Sequence, residues 1–209
     1  MIPRFPVYLF DVDGTLLDSA TDICGAIRES LASTAAPPLS DAFLRRYIGR
    51  HLRDLYLDVL PSVTEDEIAG LIAIYRRVYP LRGHRGTRVY DGVGQMLAAL
   101  GGRKSTVTTK GSEAVGKILT QFGLAQYFDH VQGTDGFPAK PEPDVVFKAV
   151  EALGAEPSDV LLVGDAPSDM EAGRRAGVKT CAVTWGYGNV DELRRHAPDY
   201  WISAPSELL

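Results

Sequence analysis

The sequence is poor in the residues that build covalent frameworks and metal cages. Its 209 residues include only two cysteines, Cys24 and Cys181, far apart and each in apolar surroundings. Two cysteines make neither a disulfide framework nor a zinc spacing, and we read them as reduced core residues, although sequence alone leaves a pairing between them open. The four histidines, His51, His84, His130 and His196, are scattered without a ligand spacing. Positive charge is also short: 22 Lys and Arg stand against 27 Asp and Glu, for a net charge of −5. That balance gives no global attraction to nucleic acid or to an anionic membrane surface. No apolar run approaches the roughly 20 residues that span a bilayer, and no basic stretch followed by a long apolar one stands at the start. Internal repeats and low-complexity segments are absent. The expectation is a cytoplasmic protein without nucleic-acid or membrane partners, a monomer or homodimer, with one large or two small domains.

Against these absences stands one stretch, Val7-Tyr8-Leu9-Phe10-Asp11-Val12-Asp13-Gly14-Thr15. Val7 to Phe10 has the length and continuous apolar character of a strand buried on both faces. It ends on two carboxylates one residue apart. In an open parallel sheet the carboxyl ends of strands are where ligands bind, and paired carboxylates there are costly unless something positive sits between them. A turn or helix cap is the plain alternative for Asp and Gly in such a stretch.

Between residues 17 and 86 the apolar spacing is helical throughout. Ile23, Ala26, Ile27 and Leu31 share one face, Pro37-Pro38 interrupts, and Leu44, Tyr47 and Ile48 then Leu52, Leu55, Tyr56 and Val59 follow. Thr64-Glu65-Asp66-Glu67 is a capping-box sequence opening a helix over Ile68, Leu71, Ile72 and Tyr75, which Pro80 is expected to end. From about Val89 onward, strand and helix patterns alternate, with a strand candidate at 104–109, an apolar strand at 160–163, a strand at 180–183 and short ones near 130–133 and 200–202. This predicts an α/β fold: a doubly wound, parallel-sheet (Rossmann-like) core from residues 1–16 and 87–209, with an inserted helical cap domain at 17–86.

Three more polar clusters fall at strand ends or in connecting loops. Val107-Thr108-Thr109-Lys110 offers two hydroxyls and a cation, a phosphate-holding set or an ordinary helix cap. Lys110 is as well suited to an ion pair as to a phosphate. Lys140-Pro141-Glu142-Pro143 aims a lysine between two stiffening prolines. Val163-Gly164-Asp165-Ala166-Pro167-Ser168-Asp169 brings two acids to a helix start, a cap or an oxygen site for a hard cation. Parallel strands put all their carboxyl ends on one edge, so these clusters can converge.

In this order the four clusters resemble the motifs of the haloacid dehalogenase-like hydrolase superfamily in its phosphatase form. The resemblance covers nearly the whole chain. Thr109 stands where members usually carry Asn. Ala182-Val183-Thr184-Trp185-Gly186-Tyr187-Gly188 and the closing Asp199-Tyr200-Trp201-Ile202 look most like the phosphoglycolate phosphatase branch; Trp185 and Tyr187 are expected to pack as an aromatic loop. The resemblance implies a phosphatase of a small phosphorylated metabolite, best read as 2-phosphoglycolate. Asp11 would be the nucleophile, forming an aspartyl-phosphate, and Asp13 the general acid and base. Thr108, Thr109 and Lys140 would hold the phosphoryl oxygens. Mg²⁺ would be held by Asp11, Asp165 and the Asp13 carbonyl, with Asp169 ordering its shell. Arg50, beside His51 in a cap-domain turn, is either a solvated charge or a contact to the substrate's distal group. A phosphosugar mutase, a sugar or nucleotide phosphatase, and a phosphate-binding regulatory protein are the competing readings; a haloacid dehalogenase ranks lower because halide displacement has no use for an acid at Asp13.

Overall fold

A computed structural model describes residues 2–209. It divides into two compact units: the chain up to Asp18 with Arg88–Leu209, and Ser19–Thr87. In chain order the elements are β1 (Val7–Phe10), β2 (Leu17–Asp18), α1 (Ala20–Leu31), α2 (Asp41–Arg45), α3 (Leu52–Val59), α4 (Glu65–Leu81), β3 (Arg88–Val89), α5 (Val93–Ala99), β4 (Arg103–Val107), α6 (Ser112–Gln121), β5 (His130–Gln132), α7 (Asp144–Ala152), β6 (Val160–Gly164), α8 (Pro167–Ala176), β7 (Lys179–Val183), α9 (Val190–Arg195) and β8 (Tyr200–Ile202).

The first unit is a six-stranded sheet ordered β5-β4-β1-β6-β7-β8, and every pairing in it is parallel. Its central strands have no polar face. All four residues of β1 and all five of β6 are buried, as expected for a sheet covered by helices on both sides. The order reverses at β1, with β4 and β5 on one side and β6, β7 and β8 on the other. Loops leaving β1, β4 and β6 diverge there and open a crevice at their carboxyl ends. The register fixes what meets: Phe10 lies beside both Thr106 and Val163, so Asp11, Thr108 and Asp165 follow within two residues of one line across the sheet.

The boundary falls a little later than the sequence suggests. Leu17–Asp18 and Arg88–Val89 pair as two-residue antiparallel strands, which assigns Leu17–Asp18 to the α/β unit instead of to the helical insertion, while Thr87 falls in the helical unit. A two-residue strand is too short to leave a periodic signature.

The second unit is helical. The buried face of α1, including Ile23, Ala26, Ile27 and Leu31, packs on α4, which buries Ile68 and Leu71. The Thr64–Glu67 capping box forms as expected. Pro80 does not end α4, which runs to Leu81. Proline forfeits one bond there, and the final turn tightens so that the Arg82 and Gly83 amides donate to Tyr79 and Pro80. Asp22 is almost fully buried; its Oδ2 accepts from the Gly86 amide and the Thr87 hydroxyl, both at 2.8 Å. Arg82 pairs with Asp22 and Glu29. Gly25 leaves room for its guanidinium, since a Cβ there would overlap it.

Candidate active site

Asp11 leaves β1 and Asp165 leaves β6, on neighbouring strands. Asp169 is the third residue of α8, where its Oδ2 accepts from the Ala166 amide at 2.9 Å and holds the helix start in place. These three buried carboxylates offer oxygens that all lie within 4.8 Å of one another. Lys140, from the loop before α7, is buried among them. Its ammonium donates to Asp11 Oδ1 at 2.8 Å, Asp169 Oδ1 at 2.5 Å and the Val107 carbonyl at 2.9 Å. The peptide bond following it, to Pro141, is cis.

One ammonium among three carboxylates leaves negative charge in a dry place, and the acidities register it. Burial pushes the Asp11 carboxyl well above the ordinary range; Lys140 opposes this, and Asp169, Asp165 and Asp13 add to it. Burial and then Asp169 push Asp165 up to about 7, against the bonds from Tyr187 and Thr15. For Lys140, burial alone would favour loss of the proton, but the Asp11 and Asp169 carboxylates outweigh it and hold the ammonium above its usual range. An all-oxygen donor set with surplus negative charge fits a hard divalent cation.

Asp13 points elsewhere. Its Oδ2 takes a 2.6 Å ion pair from Lys110 Nζ, with both side chains largely buried. Lys110 is thus an ion-pair partner of Asp13. Thr108 is buried, and its hydroxyl accepts from the Lys110 amide at 3.3 Å. Thr109 beside it is half-buried. The loop after β5 braces this turn: the Thr134 amide donates to the Lys110 carbonyl at 2.8 Å and the Thr134 hydroxyl to the Thr108 carbonyl at 2.9 Å. Arg50 is exposed in the helical unit. Its neighbour His51 caps α3, Nδ1 accepting from the Arg53 amide at 3.2 Å.

Sequence reasoning did not assign the donors that hold Asp165. The Thr15 hydroxyl donates to Oδ1 at 3.0 Å and the Tyr187 amide to Oδ2 at 2.8 Å. Both lie in stretches quoted above, but a main-chain donor has no side-chain signature. Gly14, Gly186 and Gly188 crowd the same carboxylate and its backbone so closely that a Cβ on any of them would overlap Asp165.

Comparison with known proteins gives the chain its family. The family model for haloacid dehalogenase-like hydrolases matches residues 8–183. A phosphoglycolate phosphatase from Aquifex aeolicus is 37% identical, over 97% of this chain and 94% of its own length. Phosphoglycolate phosphatase 1 from Pseudomonas aeruginosa is 33% identical, over 100% of this chain and 79% of its own. The crystal structure of a predicted phosphatase from Clostridium acetobutylicum superposes with a TM-score of 0.91 at 28% identity, covering 99% of this chain and 97% of that one. The chain belongs to the haloacid dehalogenase-like hydrolase family, in its phosphoglycolate phosphatase-like branch.

Proposed function

We propose that the protein is a Mg²⁺-dependent phosphatase of small phosphate monoesters, with 2-phosphoglycolate as its preferred substrate, acting through an aspartyl-phosphate. The carrying observation is the buried Asp11–Lys140–Asp169 cluster beside Asp165, at the switch point of the sheet. In the first displacement an Asp11 oxygen bonds to phosphorus, the ester P–O bond breaks, and Asp13 gives the departing alkoxide its proton. In the second, Asp13 takes a proton from water, whose oxygen bonds to phosphorus and releases Asp11 and inorganic phosphate. Two modest displacements replace one very slow hydrolysis.

Lys140 favours the ionised form of Asp11 and aims it, and with Thr108 and Thr109 it offers hydrogen-bond donors to phosphoryl oxygens as charge spreads over them. Asp11, Asp165, the Asp13 carbonyl and Asp169 would hold Mg²⁺ or order its waters; when bound, the ion neutralises the meeting of anionic nucleophile and anionic ester. The names of the relatives from Aquifex aeolicus and Pseudomonas aeruginosa support the substrate.

The test is phosphate release from a panel of monoesters with and without Mg²⁺. We expect magnesium-dependent release that is highest for 2-phosphoglycolate. Release centred on another ester would discard the substrate and keep the mechanism; no release from any would sink both.

A further inference from the structure

The loop after β7, Trp185 to Gly188, takes no part in the chemistry above, yet it packs on Asp165. Two hydrogen bonds join it to the segment after β1, and two more, one from each, tie both to Asp165. The Tyr187 amide holds Asp165 Oδ2, and the Thr15 hydroxyl holds Oδ1. The Trp185 indole Nε1 donates to the Thr15 carbonyl at 3.1 Å. Trp185 and Tyr187 are two residues apart in one tight segment, so the circuit Asp165–Tyr187–Trp185–Thr15–Asp165 closes on itself. Farther out, the Tyr187 hydroxyl donates to Asp18 at 2.9 Å.

A carboxylate gripped at one oxygen still swings about its last bond. Gripped at both oxygens by donors from two different loops, it holds its plane only if those loops keep their separation. The indole bond is the cross-tie nearest the carboxylate that does this. The glycines at 186 and 188 let the loop come close enough to make it. We propose that Trp185 is a positioning residue that fixes the metal-ligating carboxylate of Asp165 by tying Thr15 to the Tyr187 amide. Partners of this kind, one step behind the ligands, typically change metal affinity by about 10–100-fold when removed. The inference rests on the proposed reading of Asp165 as a Mg²⁺ ligand.

The experiment is a Mg²⁺ titration read by thermal stability, on wild type and on Trp185→Phe, which keeps the ring and loses the N–H. A second readout uses the Trp201→Phe background, where Trp185 is the one remaining indole and its fluorescence reports a change in its surroundings on Mg²⁺ addition. We expect the Mg²⁺ midpoint of Trp185→Phe to rise about tenfold or more, while kcat at saturating Mg²⁺ returns to within a few-fold of wild type. Trp185→His, which keeps a ring N–H, should fall between; either variant that folds decides the matter. A midpoint within twofold of wild type would overturn the inference alone. A wild-type protein whose melting temperature ignores Mg²⁺ would overturn the metal reading and this inference with it.

Discussion

Charge is used differently in the two units. In the helical unit the ion pairs Arg28–Asp41 and Arg53–Glu65 join exposed side chains of neighbouring helices. Its buried carboxylate, Asp22, is saturated by partners that hold the end of α4 against the start of α1. In the α/β unit Asp11, Asp165, Asp169 and Lys140 are all nearly inaccessible, and the acids outnumber the cation. A saturated buried charge stabilises the fold, whereas an unsaturated cluster raises its own acidities and waits for a ligand.

Replacing each side chain tests that contrast, most severely at the centre. Asp11→Asn should reduce phosphate release at least about a thousandfold while the protein stays folded; near wild-type turnover in a folded variant would remove Asp11 as nucleophile. Lys140→Met strips the ammonium from two buried carboxylates and should cost about 3–5 kcal/mol in denaturant unfolding as well as activity. If stability holds, the cluster is less charged than its geometry implies.

In the helical unit, Asp22→Ala leaves the Gly86 amide and Thr87 hydroxyl without their carboxylate and should cost about 1–3 kcal/mol. Its kcat should stay within tenfold of wild type. A kcat collapse to the level of Asp11→Asn would erase the distinction between the units.

The smallest effect belongs to the surface of α8. Bonds from Arg174 and Arg175 hold Glu171 down at about 2. An acid whose folded value is depressed stabilises the fold above its unfolded value, near 4.5, and that contribution is lost as pH falls toward 2. Because the partners are exposed, Glu171→Gln should lower the melting temperature at pH 7 by no more than about 2 °C, and less at pH 3. A larger shift at pH 3 would reverse the sign of this argument.

The parallel core was readable because its strands announce themselves: Val7–Phe10 and Val160–Val163 are unbroken apolar runs, and each ends on acids. That the strands run parallel followed from their alternation with helices, and convergence of Asp11, Asp165 and Lys140 followed from strand direction; the order of the strands did not follow from the sequence. The capping box at Thr64 was legible because it depends on four adjacent residues. What escaped were features carried by main chain or by pairing at a distance. The β2–β3 pair has two residues a side, the continuation of α4 through Pro80 depends on how its last turn tightens, and the grip on Asp165 uses the amide of Tyr187. Lys110 was visible as a cation, but its choice of Asp13 is a matter of loop conformation.

The short β2–β3 pairing has a consequence for how such a chain can vary. Leu17 lies opposite Val89 and Asp18 opposite Arg88, so the inserted helices leave and return through adjacent positions of one ladder. To the sheet, the whole insertion is topologically a hairpin turn. Its length and sequence are then free to drift, or to be exchanged for another module, without altering a single strand register in the sheet that carries the chemistry.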